Sequence, residues 1–168
     1  MAFQLAQVNV SRLLAPLDSP LLADFVAALD EVNAAGDRAP GFVWRLQTED
    51  GNATAIRAFE WDAAGSHGVI VNLTVWTSVE ALAAFAFSGE HVEIMRRRRR
   101  WFARAAEATA LWWVPVGHRP STDEAEDAVR HLRAHGPTLR AFTFRHPFPA
   151  PDQVDGAVRY SVDPRCPA

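Results

Sequence analysis

Residues Val69 to Trp76 alternate without a break, and this run constrains the fold more than any other stretch. Val69, Val71, Leu73 and Val75 fall on one face of a strand, and Ile70, Asn72, Thr74 and Trp76 on the other, because successive side chains point to opposite sides of the backbone. One face is aliphatic; the other mixes amide, hydroxyl and indole groups. Two unlike faces need two unlike environments, most simply helix packing for one and a pocket or subunit contact for the other. The strand alone does not say which face meets which.

A Pro40-Gly41 turn opens a second, shorter run, Phe42-Val43-Trp44-Arg45-Leu46. Alternation sends Trp44 and Arg45 to opposite faces, so one looks into a pocket and the other away from it. Nearer the start, Phe3 to Val10 places Leu5, Gln7 and Asn9 on one face and Ala6, Val8 and Val10 on the other, a half-buried strand. Between them Leu22, Phe25, Val26, Leu29 and Val32 recur at helical spacing. Ser19 is placed to cap that helix, Pro20 suits its first turn, and Gly36 marks its stop. Residues 47–68 carry turn signals at Asp50-Gly51-Asn52 and Gly65-Ser66, with a short strand expected over Ile56 to Trp61.

Ser78 caps a second helix with Val79, Leu82, Phe85 and Ala86 on its buried side. Ser88-Gly89 interrupts the pattern, after which His91, Met95, Arg98 and Phe102 return at helical spacing. Thr109 to Val116 reads as a fourth strand, with Pro115 marking an edge or exit. Ser121-Thr122-Asp123-Glu124 is a capping box for a third helix, striped by Ala125, Ala128, Val129 and Leu132 and ended by Gly136-Pro137. Leu139 to Phe144 reads as one more short strand. The order strand, helix, strand, strand, helix, strand is the ferredoxin-like βαββαβ plan, an α+β fold with an antiparallel sheet and both helices on one face. The other face needs a cover, which predicts a homodimer. The expected division is a domain over residues 3–145 and a proline-rich tail over 146–168.

With 168 residues, 49% of them hydrophobic, the chain can bury a real core as one domain. A net charge of −3 argues against a nucleic-acid partner, since that affinity comes from neutralising phosphates. No apolar run is long enough to cross a bilayer, and Met1-Ala2-Phe3-Gln4 does not begin a secretory signal. A cytoplasmic protein is expected, and Cys166, the single cysteine, has no internal disulfide partner. Arg96 to Arg100 spread around the whole circumference of a helix and read as solvated rather than as one basic stripe. His131 and His135 have zinc-compatible spacing, but no third ligand is placed, so no metal is expected. The absence of GxGxxG, P-loop, HExxH and Gly-x-Ser-x-Gly patterns leaves nicotinamide, nucleotide and serine-hydrolase chemistry without support.

Several blocks carry a resemblance. Leu5-Ala6-Gln7-Val8-Asn9-Val10, the run from Pro40 to Gly51, and Val75-Trp76-Thr77-Ser78-Val79-Glu80-Ala81-Leu82 resemble the domain of unknown function 3291 family. So do Arg97 to Phe102, Leu111 to His118, Arg133 to Thr138 and Ala141 to Phe144. The resemblance runs from about Phe3 to Pro151. It implies the dimeric α/β-barrel superfamily, which also holds antibiotic-biosynthesis and haem-degrading monooxygenases. In those relatives the substrate sits between the sheet and the helices of one subunit. Ser88-Gly89-Glu90-His91 resembles their Ser-x-x-His in the second helix.

That resemblance implies a small-molecule-binding, monooxygenase-like enzyme acting on an aromatic or polyketide-like substrate. Such oxidation needs no cofactor when the substrate's own anion reacts with oxygen. The alternatives are haem in the same cavity, with His91 as axial ligand, and a non-catalytic dimeric ligand-binding module. His91 is the candidate acid–base group because its ordinary pKa lies near neutrality; its other reading is a core histidine bonded to a backbone carbonyl. Arg45 is the candidate cation for an anionic or phenolate oxygen, or else an interface arginine. Asn9 and Asn72 stand in apolar strands and need polar partners, in a pocket or across a dimer. Trp44, Trp76, Met95, Trp101 and Trp112 complete the expected aromatic and apolar cage, with core packing the competing role for the tryptophans.

Overall fold

The centre of the sheet is an eleven-residue strand, β1 (Phe3–Leu13). In this computed structural model, which describes residues 2–87, 97–103 and 108–153, β1 pairs antiparallel with β3 (Val69–Trp76) on one side. Its other side pairs with β5 (Thr109–Pro115) over Phe3–Asn9 and with the two-residue β4 (Phe102–Ala103) at Arg12 and Leu13. β2 (Phe42–Arg45) pairs with β3 and forms the sheet's far edge. Taking β4 and β5 as one broken edge, the order β2-β3-β1-β5 with every pair antiparallel is the expected ferredoxin-like plan. Among the described residues, no helix is long and apolar enough to cross a membrane.

The helices differ from their sequence signals at three points. Pro20–Leu22 forms a 3-10 turn and α1 runs Ala23–Asp37. Ser19 makes no side-chain cap; its backbone carbonyl instead accepts from the Leu22 N–H at 3.0 Å. Gly36 keeps a helical backbone and is buried in the last turn, so the helix ends one residue beyond the expected stop. Phe102 lies in β4, not on a helical stripe, because pairing with Leu13 of β1 takes its backbone. Arg98–Arg100 before it forms a 3-10 turn.

Two caps behave as read. Ser78 Oγ accepts from the Ala81 N–H at 3.1 Å and opens α2 (Val79–Ala86). Ser121 Oγ accepts from the Glu124 N–H at 3.2 Å and opens α3 (Thr122–His135). Ser121→Ala is expected to lower stability by about 1 kcal/mol, read as a lower chemical-denaturation midpoint with unchanged slope. Gly41, at φ 83°, turns the chain into β2 against α2. A Cβ there would lie 2.5 Å from Ala81 Cβ and 2.6 Å from Thr77 Oγ1, so this turn excludes any side chain.

The expectation that a second copy must cover the sheet's other face meets a different solution. The aliphatic face of β3 packs with Ala6, Val8 and Val10 of β1 against Ala125, Ala128, Val129 and Leu132 of α3. The chain thus covers this face itself, and Val71, Val75, Ala6 and Val8 are buried without a partner subunit.

The connection over residues 47–68 helps to seat α3. It forms a 3-10 turn at Glu60–Asp62 rather than the expected strand, entered through Phe59 with a left-handed φ of 58°. Glu126 of α3 holds that conformation by accepting from the Phe59 N–H at 2.6 Å and from Trp61 Nε1 at 2.7 Å. Arg130 lies over the Trp61 ring at 4.4 Å. Asp62, with 3% of its side chain exposed, receives Arg133 through two bonds of 2.7 and 3.0 Å and Arg12 of β1 through a further one. Burial by itself would raise the Asp62 pKa, but the bonds and positive charges of Arg133 and Arg12 outweigh it and hold the carboxyl below its ordinary range.

The segment over Leu139 to Phe144 is not a strand. One antiparallel bridge, Leu111 with Phe142, pins it to β5 through bonds of 2.9 and 2.8 Å. Beyond it Trp113 Nε1 donates to the Phe148 carbonyl at 2.8 Å, and Ala150 is buried.

Candidate functional site

Between the sheet's second face and helices α1 and α2 lies a cavity of about 320 Å3, at the small end of ligand pockets, which span roughly 300–1,000 Å3. The odd residues of β1 and the even residues of β3 form its floor: Gln7, Asn9 and Ser11 beside Asn72, Thr74 and Trp76. Phe25, Leu29 and Val32 of α1 and Leu82 and Phe85 of α2 form the roof. The mixed face of β3 therefore meets the cavity, and its aliphatic face meets α3.

Trp76 closes one end. It is 1% exposed, stacks on Phe85 at 5.3 Å between centroids and meets Phe42 edge-on at 5.4 Å. Trp101 stands at the other end beside Phe25 and Phe102, with centroids 5.7 and 6.3 Å away. Such tilted and edge-on pairs are the favoured aromatic geometries, so each end of the cavity is a packed aromatic cluster.

Two hydrogen-bond groups cross the floor. Trp76 Nε1 donates to Thr74 Oγ1 at 2.9 Å, and Thr74 Oγ1 donates to Gln7 Oε1 at 2.7 Å. Next to them Asn9 Nδ2 donates to Thr109 Oγ1 at 3.2 Å, and Ser11 Oγ donates to Asn9 Oδ1 at 3.3 Å. Asn72 stands between these groups on β3, opposite Asn9 in register. Among the described residues its carboxamide has no partner, and it is open to the cavity. A carboxamide offers two donors and an acceptor, so Asn72 is free to meet a ligand oxygen.

Arg45 faces the cavity, in register with Thr74, and Trp44 pairs with Val75 on the opposite face. A bulge between Phe42 and Trp44 sets this phase. Trp44 therefore packs toward the α3 core and does not line the cavity. Trp112, in register with Ala6, goes the same way. Both leave the expected aromatic cage, because strand alternation committed them to the face that α3 covers. Arg45 is not a free cation either. Asp37 at the end of α1 takes its Nε and Nη2 at 2.7 and 3.2 Å, and the Gly51 carbonyl takes Nη1 at 2.6 Å.

Of the other expected residues, Asn9, Asn72, Trp76 and Trp101 share the cavity. His91 and Met95 lie outside the described residues. His131 and His135 stack with ring centroids 4.7 Å apart on the far side of the molecule, on α3. His131 bonds to Thr138 Oγ1 at 2.8 Å; desolvation, then the nearby charges of His135 and Arg140, lower its pKa. Among the described residues no group of three potential metal ligands forms.

Gln7, Thr74, Thr109 and Arg98 also line the cavity. Alternation had already put Gln7 with Asn9 and Thr74 with Asn72, so that signal was present. Thr109 reaches Asn9 only through β1–β5 pairing, and no local pattern contains it. Arg98 stood within a run read as solvated. The described lining holds no histidine, cysteine, methionine or tyrosine.

A search of curated protein sequences finds no match. Among solved structures, the chain is similar to SnoaB, a cofactor-independent oxygenase from Streptomyces nogalater, at 17% identity and a TM-score of 0.42, over 70% of this chain and 97% of that one. It is also similar to Rv0793 from Mycobacterium tuberculosis, at 14% identity and a TM-score of 0.43, over 70% of this chain and 99% of the other. Neither likeness is near enough to carry chemistry to this chain. From residue 4 to residue 157 the sequence matches the family described as domain of unknown function (DUF3291), and the chain belongs to that family.

Proposed function

We propose that the protein binds a flat, oxygen-bearing aromatic molecule of polyketide type in this cavity and oxidises it as a monooxygenase-like enzyme without a cofactor. The observation that carries the reading is a cavity with packed aromatic ends and on its floor a carboxamide, Asn72, unpartnered among the described residues. Aromatic walls suit a planar ring, and an uncommitted carboxamide donor suits the oxygen on which negative charge collects once the ring system is deprotonated. His91 is the proposed base. The proposed homodimer joins surfaces other than the face under α3, which the chain's own helix already covers.

Anthrone tests both halves of the reading. One anthrone and one O2 give one anthraquinone and one water, so oxygen uptake and product absorbance must agree one to one. Uptake well above the uncatalysed rate is expected, with Asn72→Ala lowering kcat/KM by about tenfold, the effect of losing one hydrogen bond to a charged oxygen. Quenching of tryptophan fluorescence without oxygen uptake would leave a binding protein and remove the enzyme.

A further inference from the structure

We infer that Arg98 selects an anionic ligand, so that the cavity takes a hydroxylated aromatic carboxylate rather than a neutral aromatic. This rests on the aromatic-ligand reading of the same cavity and names the ligand's charged group and its counterion.

Two charged side chains line the described cavity, Arg45 and Arg98. Arg45 is bidentate to Asp37 and also bonded to the Gly51 carbonyl, so its charge is matched and its fork is occupied. The Arg98 side chain is half-buried and, among the described residues, has neither an ion pair nor a hydrogen bond. The other part-buried guanidinium groups of the described fold, Arg12 and Arg133, both converge on Asp62. Arg98 is thus exceptional in facing a partly desolvated space with its five donors uncommitted. A half-buried guanidinium gains most from a planar oxyanion, which it grips through two parallel bonds.

The position sets the ligand's orientation. Arg98 opens the 3-10 turn that immediately precedes Trp101 and β4, which pairs with the Arg12–Leu13 end of β1. The polar floor groups run from Gln7 to Ser11 along that strand, a span of about 13 Å at the ordinary strand rise. A carboxylate at Arg98 would leave the ring between Trp101 and Trp76. Its hydroxyl or carbonyl would then face Asn9 and Asn72. The cavity thus has a charged end and a neutral polar floor, and a molecule with one carboxylate and one ring oxygen satisfies both.

The test compares 1-hydroxy-2-naphthoic acid with 1-naphthol, which share a ring and hydroxyl and differ by the carboxylate. Binding to the full-length protein is followed by tryptophan fluorescence and calorimetry at low salt. The acid is expected to bind about tenfold tighter or more, the difference made by one charge-assisted pair. That preference should vanish in Arg98→Gln and in Arg98→Met, which keeps the stem, while naphthol affinity stays unchanged. Arg98→Lys should keep part of the preference, and Arg45→Gln all of it. Equal affinities in the wild type overturn the inference and leave the aromatic-ligand reading standing. A preference that survives loss of Arg98, or that is lost with Arg45 instead, also overturns it. Binding of neither compound overturns both.

Discussion

An Asp62→Ala variant is expected to lose about 3–5 kcal/mol of stability, the usual result of removing one partner from a buried ion cluster. Asp62 joins three elements: its own 3-10 turn, Arg12 of β1 and Arg133 of α3. Without its carboxylate two guanidinium groups would stay partly buried, each already with a buried Nε that has no bond. Asn at this position keeps one acceptor but aims an N–H2 group at a cation, so Asp62→Asn is expected to fare little better. Urea unfolding of both variants gives the answer, and a loss below 1 kcal/mol would mean that solvent already screens the cluster.

The same residue fixes the acid side of the stability profile. Its folded pKa is lowered from the ordinary 3.8, so its contribution is complete above that value. It drains away as pH falls through the lower folded value, because below it both states bind the proton. The wild-type protein should therefore lose stability below about pH 4 more steeply than Asp62→Asn.

Trp76→Ala is expected to cost a further about 3–5 kcal/mol, the range for emptying a buried large aromatic site. The indole is stacked on Phe85, edge-on to Phe42, and bonded to Thr74. The loss removes apolar burial and opens the end of the cavity into the α2 packing. Trp76→Phe separates these effects: it keeps a ring and loses the N–H, a change worth about 1 kcal/mol. Should the two variants prove equally stable, packing of the indole would not be what holds this wall.

Much of the cavity floor was readable in the chain, residue by residue. Alternation put Gln7 with Asn9 and Asn72 with Thr74 and Trp76, and those are the cavity floor. Ser78 and the Ser121 box opened their helices where the pattern placed them. Signals failed where a distant group competed for the same backbone. Glu126 bends Phe59 out of an expected strand, and β1 takes Phe102 from an expected helix.

By itself the sequence determined which side chains share a face, because strand and helix periods are local properties of the backbone. It could not determine which face receives which layer. The tertiary structure decided that α3 covers the aliphatic face and α1 with α2 roof the polar one. That choice sent Trp44 and Trp112 to the core and Arg45 to the cavity. It also neutralised Arg45 with Asp37, eight residues back at the end of α1, and left Arg98 unmatched. Burial and charge pairing depend on contacts between segments far apart in the chain, which no local period contains.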